Sequence, residues 1–217
     1  MRIILSLILA TAFSSSLYAA SISFSVGKTE IKINKKWQSV STGKLPASAT
    51  AVRTGKKSLA ILSLNKTTVI KLKENTEISF NSLDKKRISL FLKRGGVFSR
   101  IQKNAGNNYS IRTSTVTAAV RGTEFFMAYG ERGTRGQEMW LCVNEGNVAV
   151  TGKSKVHPIM VAAGLGVYID TDGDITPPTK FNWTKRLNWN TDPDKGSVQD
   201  NTSVIEVYRN FFNEDYD

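Results

Sequence analysis

Apolar residues recur at every second position in many short runs along this chain, and turn residues separate the runs. Ile22, Phe24 and Val26 precede Gly27; Ile31 and Ile33 precede Asn34-Lys35-Lys36; Leu59 to Leu64 precedes Asn65; Thr68 to Leu72 precedes Glu74-Asn75. Further on, Ile88 to Leu92 ends near Gly95-Gly96, and Val97 to Ile101 ends near Asn104-Ala-Gly-Asn-Asn108. This period sends successive side chains to opposite faces of a strand, so the pattern predicts an all-β domain of many short strands. No 3.6-residue stripe competes with it before Pro177.

The run from Arg112 to Phe126 carries the most information. Val116, Ala118 and Val120 alternate with Thr115, Thr117 and Ala119, and Arg121-Gly122-Thr123 then interrupts the strand before Phe125. A glycine between two such runs predicts a corner or a close backbone approach. Strands are also expected in Gly136 to Val143, Val148 to Val150 and Pro158 to Ile169, with Glu145-Gly146-Asn147 as a hairpin loop. The β domain is therefore expected over residues 21–175. Pro177-Pro178 breaks regular structure, and 176–217 reads as a linker and tail with one short amphipathic helix over Val204 to Phe212. Trp183, Trp189, Phe211 and Phe212 are expected to pack back on the β domain or cover its open end, with partner contact as the alternative.

The N-terminus changes the picture. Met1-Arg2 is followed by the apolar run Ile3 to Phe13 and by the small residues Ser14 to Ser21, which predicts a secretory signal peptide over residues 1–20. The mature chain is then periplasmic or secreted, with no transmembrane helix in its later segments. Cys142 is the single cysteine, cannot form an internal disulfide, and sits in the apolar run Met139 to Val143 as a buried strand residue.

Charge is divided unevenly. From Ser21 to Arg112 there are 19 lysines and arginines against four acids, and from Thr113 to Asp217 there are 10 against 14. Lys35, Lys36, Lys56, Lys57, Lys85, Lys86, Arg87, Lys93 and Arg94 fall at turns and strand ends. Stacked along one edge they would attract an envelope protein or an anionic cell-wall or outer-membrane polymer. Nucleic acid is the usual partner of such charge, but export and the lack of an RNA-binding or zinc-finger motif argue against it. Catalysis finds little support: His157 is the single histidine, phosphate-loop and His-rich metal motifs are absent, and no cofactor is expected. Asp170-Thr-Asp-Gly-Asp174 fails the EF-hand pattern and reads as a polar turn.

An ordered series of motifs resembles the FecR-type domain. Trp37-Gln-Ser-Val40, Gly43-Lys-Leu45, Arg53-Thr54-Gly55 and Ser58-Leu-Ala60 are followed by Leu90-Phe-Leu-Lys-Arg-Gly-Gly-Val97, Val120-Arg-Gly-Thr-Glu-Phe125, Val143-Asn-Glu-Gly-Asn-Val148 and Val161-Ala-Ala-Gly164. The resemblance implies a β-roll or solenoid-like stack of short strands, with a β-sandwich as the alternative, and an extracytoplasmic place for it. It also implies structural roles for Arg53, Thr54, Gly55, Arg121, Gly122, Thr123, Glu145 and Gly146. Arg121 is expected to act as an internal strut paired with Glu124 or Glu145. Family members that control sigma factors carry a cytoplasmic segment and a transmembrane helix before this domain, so direct sigma-factor contact is not expected of a chain that opens with a signal peptide. The expected function is a non-catalytic exported binding or scaffold module, with a trans-acting component of envelope signal transduction as the alternative.

Overall fold

In the computed structural model the described residues are 20–84, 86–103, 106, 108–131, 136–153 and 157–202. All but Ala20 of the signal peptide expected over 1–20, and the helix expected over 204–212, lie outside them. The strands follow the sequence in the order β1 (Ser21–Val26), β2 (Thr29–Ile33), β3 (Lys36–Ser39), β4 (Gly43–Lys44), β5 (Ala49–Thr54), β6 (Leu59–Asn65), β7 (Thr68–Leu72) and β8 (Glu77–Asp84). They continue as β9 (Arg87–Ile101), β10 (Asn108–Arg112), β11 (Val116–Val120), β12 (Glu124–Glu131), β13 (Gln137–Glu145), β14 (Asn147–Gly152), β15 (Ile159–Ala162) and β16 (Gly166–Ile169). Two short 3-10 turns, Asn182–Arg186 and Pro193–Lys195, complete the regular structure. No helix of the described residues is long and apolar enough to cross a membrane.

The strands form two open layers joined through β9. The first layer runs β4-β1-β6-β7-β9-β12-β13-β16, and the second runs β3-β2-β5-β8-β9-β10-β11-β14-β15. The 15-residue β9 pairs with β8 and β10 through its first half and with β7 and β12 through its second. The two runs that the sequence separates at Gly95-Gly96 are thus one strand. Gly95, at φ +95°, lets that strand cross from one layer to the other, and a Cβ there would lie 2.4 Å from Thr76 Cα.

The chain changes layer again and again, at Gly27, between β5 and β6, between β7 and β8, at Gly122 and at Gly146. That alternation makes the fold a roll, the expected architecture, and it encloses one core. Leu62, Ile70, Val97, Phe125 and Leu141 of the first layer face Val52, Ile78, Leu90, Ile111 and Val150 of the second. Burial of these faces supplies the main stabilisation, at about 25 cal/mol per Å² of apolar surface.

The expected hairpin at Gly146 is not formed. β13 pairs with β12 and β16, whereas β14 pairs with β11 and β15, so Gly146 is a corner between layers. Val143 and Val148 on either side of it both enter the common core, which a hairpin within one layer would not require. Gly146 adopts φ +81°, and a Cβ on it would lie 2.7 Å from the carbonyl oxygen of Gly122 at the neighbouring corner. The two motif glycines therefore serve one close approach.

Candidate functional site

The register fixes where the basic turn residues go. Ile33 pairs with Lys36 and Ala49, and Asp84 pairs with Arg87, which places Lys35, Lys36, Lys86 and Arg87 at one end of the second layer. Arg53 pairs with Glu77 and Glu77 with Arg94, which places Lys56, Lys57, Lys93 and Arg94 at the opposite end. Lys85 lies outside the described residues. The eight described cations are exposed but do not form one edge; the up-and-down course of the strands divides them between two ends.

The second group adjoins a concavity. A groove of about 1200 Å³ is bordered by Lys57, Lys93 and Arg94, with Phe24, Val26 and Tyr129 among its apolar walls. Lys93 and Arg94 both reach Glu77, at 3.2 and 3.3 Å, and Lys57 donates its backbone N–H to Glu74 at 2.7 Å. Lys73, Glu74 and residues of the segment 193–202, Asp200 among them, also line it.

That segment belongs to a strap, residues 181–202, which covers the outer face of the first layer. Phe181 and Leu187 join Phe98, Phe126, Trp140 and Cys142 in a second apolar cluster, and Val198 joins Leu59 and Ile61 in a third. Trp189 meets Phe98 edge-on at 5.4 Å between ring centroids. The strap thus covers a face, not an open end of the stack. Burial pushes the Cys142 thiol well above its ordinary range, the setting of an apolar strand residue.

Two lysines of the apolar run 68–73 hold the strap, and neither is singled out by the sequence pattern. Lys71 is 0% exposed and donates to the carbonyl oxygens of Asn188, Asn190 and Val198 at 2.5, 2.8 and 3.1 Å. Its ammonium also lies 4.2 Å from the centroid of the Phe98 ring. Burial draws its pKa down to about 8, with the charges of Lys73 and Arg100 adding to this and those of Asp200 and Glu124 opposing it. Lys73 pairs with Asp200 and donates to the carbonyl of Thr202 at 2.6 Å. Asp200 in turn accepts the backbone N–H of Asn188 at 2.6 Å. Alternation predicts only that Lys71 and Lys73 point away from the main core; the strap that buries them lies more than a hundred residues away.

The motif residues occupy separate positions. Arg53 donates to Glu30 at 2.7 Å and lies 4.2 Å above the Trp37 ring, and the pair holds the Glu30 carboxyl below its usual range. The Thr54 hydroxyl donates to Lys73 O at 2.5 Å and accepts from Thr76 N–H at 3.0 Å, tying the end of β5 to the corner between β7 and β8. Arg121 is exposed. Its two expected acids have other partners: Arg100 donates to Glu124 at 2.7 Å, with Asn144 at 2.5 Å on the other oxygen, and Lys103 pairs with Glu145 at 2.8 Å. The arginine that pairs with Glu124 at this corner is Arg100, half-exposed and opposite it in the β9–β12 register. Thr123 is buried beside Gly146. Asp170 accepts the backbone N–H groups of Asp172 and Asp174 at 3.0 and 2.9 Å, as a polar turn does, and His157 is exposed. Among the described residues no group of three or more His, Cys, Asp and Glu is placed to hold a metal ion.

Residues 50–149, the part of the roll from β5 into β14, match the family model described as FecR protein. Two crystal structures of a protein from Parabacteroides distasonis ATCC 8503, described as a "putative anti-sigma factor", have the same fold over part of their length. The chain is 16% identical to one with a TM-score of 0.53 and 17% identical to the other with a TM-score of 0.51. In both comparisons 63% of this chain is matched to 63% of the solved chain, so the likeness spans less than two thirds of either. No curated protein matches the sequence.

Proposed function

We propose that this FecR-domain chain is a non-catalytic binding module of the cell envelope that contacts a protein partner in envelope signalling. The observation that carries the reading is the FecR-type match over residues 50–149, together with a groove on that domain where Lys57, Lys93 and Arg94 converge. The solved relatives support a regulatory setting for the fold by their description as anti-sigma factors. The apolar run at residues 3–13 supports export, which leaves a partner in the envelope as the accessible one.

Site-specific photocrosslinking in intact cells tests the proposal. A crosslinker at Lys57 or Arg94 should capture one envelope protein reproducibly, and one at Lys86, on the opposite end, should not. Capture of lipopolysaccharide or cell-wall polymer in place of a protein would favour the polymer reading, and uniform background at all three positions would refute a specific module.

A further inference from the structure

We propose that the groove bordered by Lys57, Lys93 and Arg94 docks a peptide segment of the partner that carries carboxylates around an apolar residue, and that docking there releases the strap. This rests on the binding-module reading and names the partner's chemistry. Four cations line the groove, Lys57, Lys73, Lys93 and Arg94, against the two acids Glu74 and Asp200, while Phe24, Val26 and Tyr129 offer apolar wall, with Val26 51% exposed. A bare polyanion would satisfy the first feature and leave the second unused. A carboxylate-bearing peptide with an aromatic or aliphatic side chain satisfies both.

The coupling to the strap follows from one chain of contacts. Lys73 and its acceptor Asp200 both line the groove. Asp200 uses its other oxygen to hold the N–H of Asn188, and the carbonyl of Asn188 rests on Lys71. An incoming carboxylate competes with Asp200 for Lys73. When Asp200 yields, the anchor of Asn188 goes with it, and Lys71 loses an acceptor. A buried ammonium without its acceptors is strongly disfavoured, so loss of one contact weakens the rest. The strap lies over the sheet as an irregular segment, with Lys71 and Lys73 as its polar tethers, and not as a further strand of the ladder. Peptide docking and strap docking oppose each other, and by linkage each weakens the other by the same factor.

The test uses the purified full chain and a fluorescent probe peptide, Glu-Asp-Phe-Glu-Val, read by anisotropy, with Trp189 emission reporting the strap. The expected result is binding that weakens at least fivefold in Arg94→Glu and in Lys57→Glu, stays unchanged in Lys86→Glu, and is accompanied by a red shift of Trp189 emission. Asp200→Asn, which loosens the competitor for Lys73, should bind the probe more tightly. Equal loss in Lys86→Glu and Arg94→Glu, or weaker binding in Asp200→Asn, would overturn the proposal. So would full competition by heparin combined with no effect of Val26→Ser, which would reduce the groove to a polyanion patch. Failure here with specific crosslinking at Lys57 in cells would leave the envelope reading standing and remove only the peptide assignment.

Discussion

Lys71 Nζ lies 2.5 Å from the carbonyl oxygen of Asn188, a residue 117 positions further along the chain. Together with the carbonyls of Asn190 and Val198 this oxygen gives the ammonium one acceptor for each of its three protons. The contact joins the roll to the segment that follows it, and it turns an outward lysine into part of the interior.

Lys71→Met should undock the strap, because the side chain keeps its volume while three strap carbonyls lose their donor. The expected cost is about 2–4 kcal/mol of docking free energy. Limited proteolysis should then cut within residues 181–202 of an otherwise protected domain. Wild-type protection in the variant would mean that the apolar contacts alone hold the strap.

The same lysine makes strap docking depend on pH, with a definite sign. Its pKa is about 8 when docked, against about 10.4 for a solvated lysine. Between these values the undocked form binds more protons, so docking strengthens as pH rises through the window, by about 2 kcal/mol from pH 7.5 to 9.5. Protease protection of the strap should increase over that range in the native chain and stay flat in Lys71→Met; a decrease in the native chain would contradict the assignment.

Gly146→Ala should damage the roll itself. The new Cβ would lie 2.7 Å from Gly122 O and 3.2 Å from Thr123 Cα, at a φ of +81° that disfavours it independently. A loss of at least about 2 kcal/mol is expected, from steric overlap added to the left-handed backbone penalty. Chemical denaturation measures it, and a midpoint within error of the native one would exclude the close approach.

Arg100→Ala and Arg121→Ala should separate cleanly. Removing Arg100 leaves the buried Glu124 with Asn144 alone, at an expected cost of about 1.5–3 kcal/mol. Removing the exposed Arg121 should change stability by less than about 0.5 kcal/mol. Thermal unfolding of the two variants side by side decides it, and a larger loss in Arg121→Ala would restore the strut to that residue.

Arg53→Ala should cost about 1 kcal/mol, since it removes both the bond to Glu30 and the guanidinium over Trp37 at a partly solvated site. Because Arg53 depresses the Glu30 pKa, the native pair stabilises above the ordinary carboxylate range and is lost as pH falls through the lowered value. The difference between native and variant midpoints should therefore shrink on acidification toward pH 3, and a constant difference would assign the effect to stacking alone.

The alternation of apolar and polar residues by itself determined the all-β class and most of the strands, because a period of two leaves each strand one buried face, and the glycine between two such runs marked the corner at Gly122, whereas the hairpin read at Gly146 became a corner between layers only in the tertiary structure. The ordered motifs around Arg53 and Arg121 pointed to the FecR type in the same local way. Local pattern has no means of stating which strands become neighbours. Only the tertiary structure decided that β9 crosses both layers at Gly95-Gly96, that the basic turns divide between two ends, that Glu124 pairs with Arg100 and not Arg121, and that Lys71 and Lys73 are buried. Each of these depends on contacts between residues far apart in sequence, and a lysine beside an apolar run reads as solvated until the strap that covers it is in place.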